Sequence, residues 1–135
     1  MKIINEHIKS NEFQSVYLLY GEEEYLKKQY RDKLRNAMVG EDTMNYSYFE
    51  GNKISVKEVL EIAETLPFFA ERRLIIIEDS GFFKSSQEEL AEYIKKQPDY
   101  LNFVFVEKEV DKRNKVYKAV NDKGYVCEMK EQSTS

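Results

Sequence analysis

The chain has 135 residues, 41% of them apolar and 34% charged, with a net charge of −4 and a pI near 5.2. That is one domain of ordinary globular composition, too apolar for disorder and without the roughly 18–20 consecutive apolar residues that span a bilayer. One cysteine, Cys127, excludes an internal disulfide, and with a single histidine, His7, it argues against a soft-metal site. The first residues, MKIINEHIKSNEF, are broken by charges and read as no secretory signal, so the expected address is cytoplasmic. Lys and Arg alternate with acids, as in EEEYLKKQYRDKLR, which is the pattern of a solvated helix face rather than a basic track for nucleic acid. The charge distribution still allows a minor DNA contact.

A first helix is expected over Ile3 to Ser10; its His7 has no Ser, Cys or acid arranged with it for nucleophilic catalysis and reads as a surface histidine. Ser15–Tyr20 (SVYLLY) is an apolar, strand-like run. Leu26, Tyr30, Leu34 and Met38 then recur at four-residue steps and make one apolar helix stripe. Met44–Phe49 alternates, with Tyr46 and Tyr48 on one face and Ser47 and Phe49 on the other, as on a sheet edge. Ser55 with Glu58 forms a capping box for a helix carrying Val56, Val59, Leu60 and Ala63, which Pro67 should end after Leu66. Leu74–Ile77 is a third strand, and Ser85 with Glu88 repeats the capping signature ahead of Leu90, Tyr93 and Ile94. Leu101–Val106 is a fourth strand, Asp111 is expected to cap a helix through Val116, Tyr117 and Val120, and Tyr125–Cys127 is a fifth strand that uses Cys127 as a small core residue. Residues 131–135 form a polar tail after the domain at 1–130.

Strict alternation of helix and strand predicts an α/β three-layer sandwich on a five-stranded parallel sheet, because parallel neighbours need crossover connections. Ligands in such sheets sit at the carboxyl ends of the strands. The first loop there, Gly21 to Lys28, keeps the leading glycine and Lys27 of the phosphate-binding pattern G-x-x-x-x-G-K-[ST]. Leu26 stands in place of the second glycine, Lys28 in place of the magnesium-binding hydroxyl, and Glu22 to Glu24 would repel a triphosphate. ATP binding is therefore not expected, and neither is any cofactor. Glu78 and Asp79 follow the third strand where Walker B acids would stand, but without a working phosphate loop they read as acids at a strand's solvent end. A receiver-like phosphorylation site would use Glu22/Glu23, Asp79, Glu107 and Lys130, and it lacks its hydroxyl. A small phosphate-handling α/β protein of receiver or P-loop NTPase type is the alternative reading. In Leu66-Pro67-Phe68-Phe69, two phenylalanines arrive at a corner, either tucked under the sheet or offered as an apolar plug to a partner's pocket.

The successive blocks VYLLYGEEEYLKK, TLPFFAERRLIIIED, LNFVFVEKEVDKRNKVYKAV and GYVCE resemble, in order and spacing, the delta subunits of bacterial DNA polymerase III clamp loaders. The resemblance runs from about Ser15 to Glu128. It implies an AAA+-type fold that has lost nucleotide binding and has no active site of its own. It also implies an accessory role in DNA replication: a hydrophobic wedge inserts into the sliding clamp (the beta subunit) and helps open the ring for loading on DNA. By position, the clamp-binding wedge falls on Leu66, Phe68 and Phe69, with Pro67 shaping the turn; Glu64 stands where some members carry Gln. Delta subunits also have a helical lid and a collar domain, which join the other clamp-loader subunits and are not expected in this chain.

Overall fold

Apolar runs and amphipathic stretches alternate in the chain as expected, and ten elements result among the described residues. They are α1 (Lys2–Ser10), β1 (Val16–Tyr20), α2 (Glu24–Met38), β2 (Tyr46–Glu50), α3 (Val56–Ala63), β3 (Arg73–Glu78), α4 (Glu88–Lys95), β4 (Leu101–Glu107), α5 (Lys115–Lys123) and β5 (Tyr125–Glu128). This computed structural model describes residues 1–130; the tail expected at 131–135 lies outside the described residues.

All strand pairings are parallel, in the order β2-β3-β4-β1-β5. The central strands β1, β3 and β4 are buried along their whole length, as continuous apolar runs in a two-sided sheet should be. β2 lies at an edge, and its alternation holds: Tyr46 packs toward one face and Phe49 toward the other. On the first face α3, α4 and α5 bury Val59, Leu90, Ile94 and Val116 against Val16, Leu18, Ile75 and Phe103. On the second, α1 and α2 bury Ile4, Tyr30, Leu34 and Met38 against Tyr17, Leu19, Ile76 and Val104. Each such side chain contributes about 1.5–3 kcal/mol through removal of apolar surface from water. Where α5 turns into β5 the chain runs so close to β1 that a methyl group on Gly124 would collide with the Val16 carbonyl oxygen.

Four local expectations are corrected. α3 ends at Ala63, four residues before Pro67, so the proline follows the helix end at a distance and stiffens the loop beyond it. Ser85 is not the cap of α4; its hydroxyl donates to the Gly81 carbonyl, the helix begins at Glu88, and Glu88 pairs with Lys115 of α5 at 2.6 Å. Asp111 does not cap α5 either. Asn114 does, accepting from the Val116 and Tyr117 N–H groups, while Asp111 holds Arg113. His7 is half-buried, its Nδ1 at 2.7 Å from the Tyr17 hydroxyl and its ring edge-on to Tyr17 and Tyr125. Of the capping box at α3 the Ser55 half stands, its hydroxyl accepting from the Glu58 N–H at 3.2 Å.

Candidate functional site

The carboxyl ends of β1, β3 and β4 gather the residues of the degenerate phosphate loop. Gly21 has φ +125°, and a side chain there would strike the Met129 backbone. α2 starts directly afterwards, but its N-terminus is closed by the protein itself: the Glu23 carboxylate accepts the Tyr25 N–H at 3.1 Å. Lys27, almost wholly buried, is turned inward, donating to the Glu107 carbonyl at 3.3 Å and pairing with Glu24 at 2.7 Å. Its hydrogen bond and charge hold the Glu24 carboxyl below the usual range. Leu26 packs partly into the α1–α2 face and Lys28 points to solvent. The first turn of this helix and its lysine are thus engaged by the protein's own carboxylates, Glu23 on the Tyr25 N–H and Glu24 on Lys27.

The two acids after β3 part company. Glu78 is buried and ion-paired with Arg31 of α2, whereas Asp79 is exposed, with φ +50°. Glu107, also buried, accepts hydrogen bonds from the Ser80 N–H and hydroxyl and from the Gly81 N–H; burial pushes its carboxyl above the usual value. Lys130 stands 3.9 Å from Glu128. A receiver sheet has the order 2-1-3-4-5, with β1 between β2 and β3. Here β1 lies between β4 and β5, so the receiver reading fails on topology as well as on its missing hydroxyl. Among the described residues no group of three or more His, Cys, Asp and Glu is placed to hold a metal ion, and no helix is long and apolar enough to cross a membrane. Cys127 is buried on β5, and burial raises its thiol pKa.

The loop between α3 and β3 lies at the opposite, amino-terminal edge of the sheet. Leu66 is 72% exposed, Phe68 54% and Phe69 94%, with the two rings edge-on at 4.5 Å. Pro67 between them is half-buried. Phe69 has φ +50°, a left-handed conformation rare for a bulky residue. The surrounding framework is polar and buried. Arg73, first in β3, donates to the Thr65 carbonyl at 2.8 Å and the Leu66 carbonyl at 3.3 Å. Arg72 donates to Asn102 of β4 at 3.2 Å and lies over the Phe13 ring. Asn45, just before β2, accepts the Phe68 N–H at 2.6 Å and donates to the Phe68 carbonyl at 2.9 Å. Asp42 orients that amide by accepting from its Nδ2 at 2.7 Å, and this bond holds the Asp42 carboxyl below its usual range. Glu64 accepts the Tyr93 hydroxyl at 2.6 Å, which ties the end of α3 to α4.

The four residues Leu66 to Phe69 therefore stand together on one loop, and the loop-residue set Gly21, Leu26, Lys27 and Lys28 stands apart from them across the sheet. The sequence did not single out Asn45 or Arg73. Their signal, a polar residue immediately before or at the start of a strand, is too common to pick out without the loop that folds back over it.

Comparison with known proteins agrees with the fold and the residue blocks. The family "DNA polymerase III, delta subunit" matches residues 17–130. The chain is 30% identical to the DNA polymerase III subunit delta of Bacillus subtilis (strain 168) over a 137-residue alignment, covering 92% of this chain and 40% of that protein. The solved structure of the Bacillus subtilis DNA clamp loader delta protein superposes with a TM-score of 0.86 at 28% identity, over 97% of this chain and 42% of the other. The chain thus spans about two fifths of the length of these relatives. A gamma subunit-related DNA polymerase III protein of Thermotoga maritima, at 10% identity and a TM-score of 0.67, shares the fold over 93% of this chain and 45% of its own. Thermotoga maritima RuvB, at 17% and 0.53, shares it over 93% and 41%.

Proposed function

Because the chain belongs to the DNA polymerase III delta-subunit family of clamp loaders, we propose that residues 1–130 form its AAA+-like, clamp-binding domain, and that Leu66, Phe68 and Phe69 are the wedge it inserts into the sliding clamp. Exposure carries this reading: three large apolar side chains stand in solvent on a loop whose backbone is fixed from beneath. Exposed apolar surface costs solubility and is kept where a partner covers it. Buried aromatic anchors are also the residues that dominate interface energies. Opening of the clamp ring follows on this reading from wedge insertion, and loading on DNA from the joint action of the other clamp-loader subunits, reached through lid and collar domains. On this reading the domain has no active site and binds no nucleotide, since Glu24 and the Glu107 carbonyl hold Lys27 and Glu23 caps the helix start; its DNA contact is weak and its setting is the cytoplasm.

The test is the double substitution Phe68→Ala/Phe69→Ala. Truncating Phe at a packed core site costs about 3–5 kcal/mol. Here the rings are outside the core, so denaturant unfolding should show a loss of about 1 kcal/mol or less. Titration with a bacterial sliding clamp should show binding weakened at least about a hundredfold, since each ring supplies on the order of 1.5–3 kcal/mol and each 1.4 kcal/mol is tenfold. A variant that unfolds, or one that binds the clamp as tightly as the parent, removes the wedge reading.

A further inference from the structure

Resting on the wedge reading, we propose that Asn45, aligned by Asp42, is a positioning residue for clamp docking: it locks the Phe68 peptide so that Phe69 is held outward before the clamp arrives. The Asn45 side chain is fully buried, a place where a polar amide is unfavourable unless its bonds are made. They are made to one target, the Phe68 backbone, through acceptance of its N–H and donation to its carbonyl, with the remaining Nδ2 hydrogen given to Asp42. A primary amide supplies a separate carbonyl acceptor and two N–H donors, enough for both Phe68 groups and Asp42; an apolar side chain of similar size would serve packing alone. Asn45 is itself rooted in the sheet, since its carbonyl accepts the Leu74 N–H at 2.9 Å and its own N–H donates to Asp42.

The next residue makes the lock necessary. Phe69 sits at φ +50°, a conformation that persists in a non-glycine residue only where the surroundings over-determine it. Released from Asn45, the chain between the Arg73-anchored Leu66 carbonyl and the Asn102-anchored Arg72 is free to fold its rings elsewhere. The clamp then meets a wedge that is in the docking conformation only part of the time, and apparent affinity falls by that fraction.

The experiment uses the full 135-residue chain and a bacterial sliding clamp. Asn45→Ala should weaken clamp binding by about tenfold or more through the reduced competent fraction. Amide exchange at Phe68 should accelerate while the β3 and β4 amides keep their protection. In a Phe69→Ala background the same substitution should cost less, because the two act on one contact. Unchanged binding, unchanged Phe68 exchange, or additive losses would each overturn the proposal. If Asn45→Ala does not fold, the parent chain decides: a Phe68 amide as protected as those of the ladder supports the lock, and one exchanging like an open peptide refutes it. Phe68→Ala/Phe69→Ala separates the two readings. Undiminished binding there removes the wedge itself, whereas lost binding there with parental binding by Asn45→Ala removes only the lock.

Discussion

Glu107 ends β4 with its carboxylate almost wholly out of solvent, tied to Ser80 and Gly81 by three hydrogen bonds. Burial raises its pKa above the ordinary 4.5, and the hydrogen bonds to the ionised form offset only part of that rise. The folded chain therefore holds this proton to higher pH than the unfolded chain does. Its contribution to stability is fully present below about pH 4.5 and is lost as pH rises through the folded-state value. Glu107→Gln removes the titration, so the stability margin of the parent over this variant should be largest in mild acid and narrow toward neutrality. Paired denaturant unfolding curves across that range measure it, and a margin that widens with pH would contradict the burial argument. Asn45 and Arg73 at the amino ends of β2 and β3, and Lys27 on α2, follow the same rule: each is a buried polar group with its hydrogen bonds aimed at a particular backbone carbonyl or N–H.

Where a side chain caps a helix, the start is set by which residue reaches the orphan N–H groups, and α5 separates the two candidates cleanly. Asn114 accepts from two of them and its Nδ2 also donates to the Ser85 carbonyl at 2.8 Å and the Phe82 carbonyl at 3.3 Å. Asp111, three residues earlier, accepts the Arg113 N–H and forms an exposed pair with the Arg113 guanidinium. Asn114→Ala should thus cost about 1–2 kcal/mol in chemical denaturation, the upper part of the range for a lost cap. Asp111→Ala should stay within about 0.5 kcal/mol, as at an ordinary surface site. The opposite ranking would return the cap to Asp111. A similar reading explains α2: a helix N-terminus that could face phosphate is capped by Glu23 and followed by the inward-turned Lys27.

At the scale of the whole molecule the two candidate places lie at opposite edges of one sheet, the closed phosphate loop at the carboxyl ends and the exposed wedge at the amino ends. A ligand that bound the folded chain at about 100 times its dissociation constant would add roughly 2.7 kcal/mol to its stability. For a domain of this size that is a rise in Tm of roughly 5–10 °C. ATP with magnesium should produce no such rise in a thermal scan, and neither should a phosphoryl analogue with magnesium. A clear rise with ATP would mean that Lys27 gives up Glu24 for a phosphate and that the loop is not inert.

Alternation of apolar runs with amphipathic stretches was enough to give the fold class, the five strands and their order along the chain, because burial on two faces imposes continuous apolar runs and helices impose a 3.6-residue stripe. The losses at Leu26 and Lys28 were equally plain, since a phosphate loop depends on residue type at fixed spacing. The edge placement of β2 was legible in the alternation of Tyr46 to Phe49. What stayed hidden were choices between near-equivalent polar neighbours, such as Asn114 over Asp111 as the cap of α5, and the start of α4 after Gln87, which no side chain caps. Whether Phe68 and Phe69 face solvent was equally undecidable, because two apolar side chains at a corner satisfy either a core or a surface. Only the folded chain decided it: Asn45 arrives from 23 residues away to grip the Phe68 backbone, Arg73 holds the carbonyls of Thr65 and Leu66, and both rings are left outside the two core clusters.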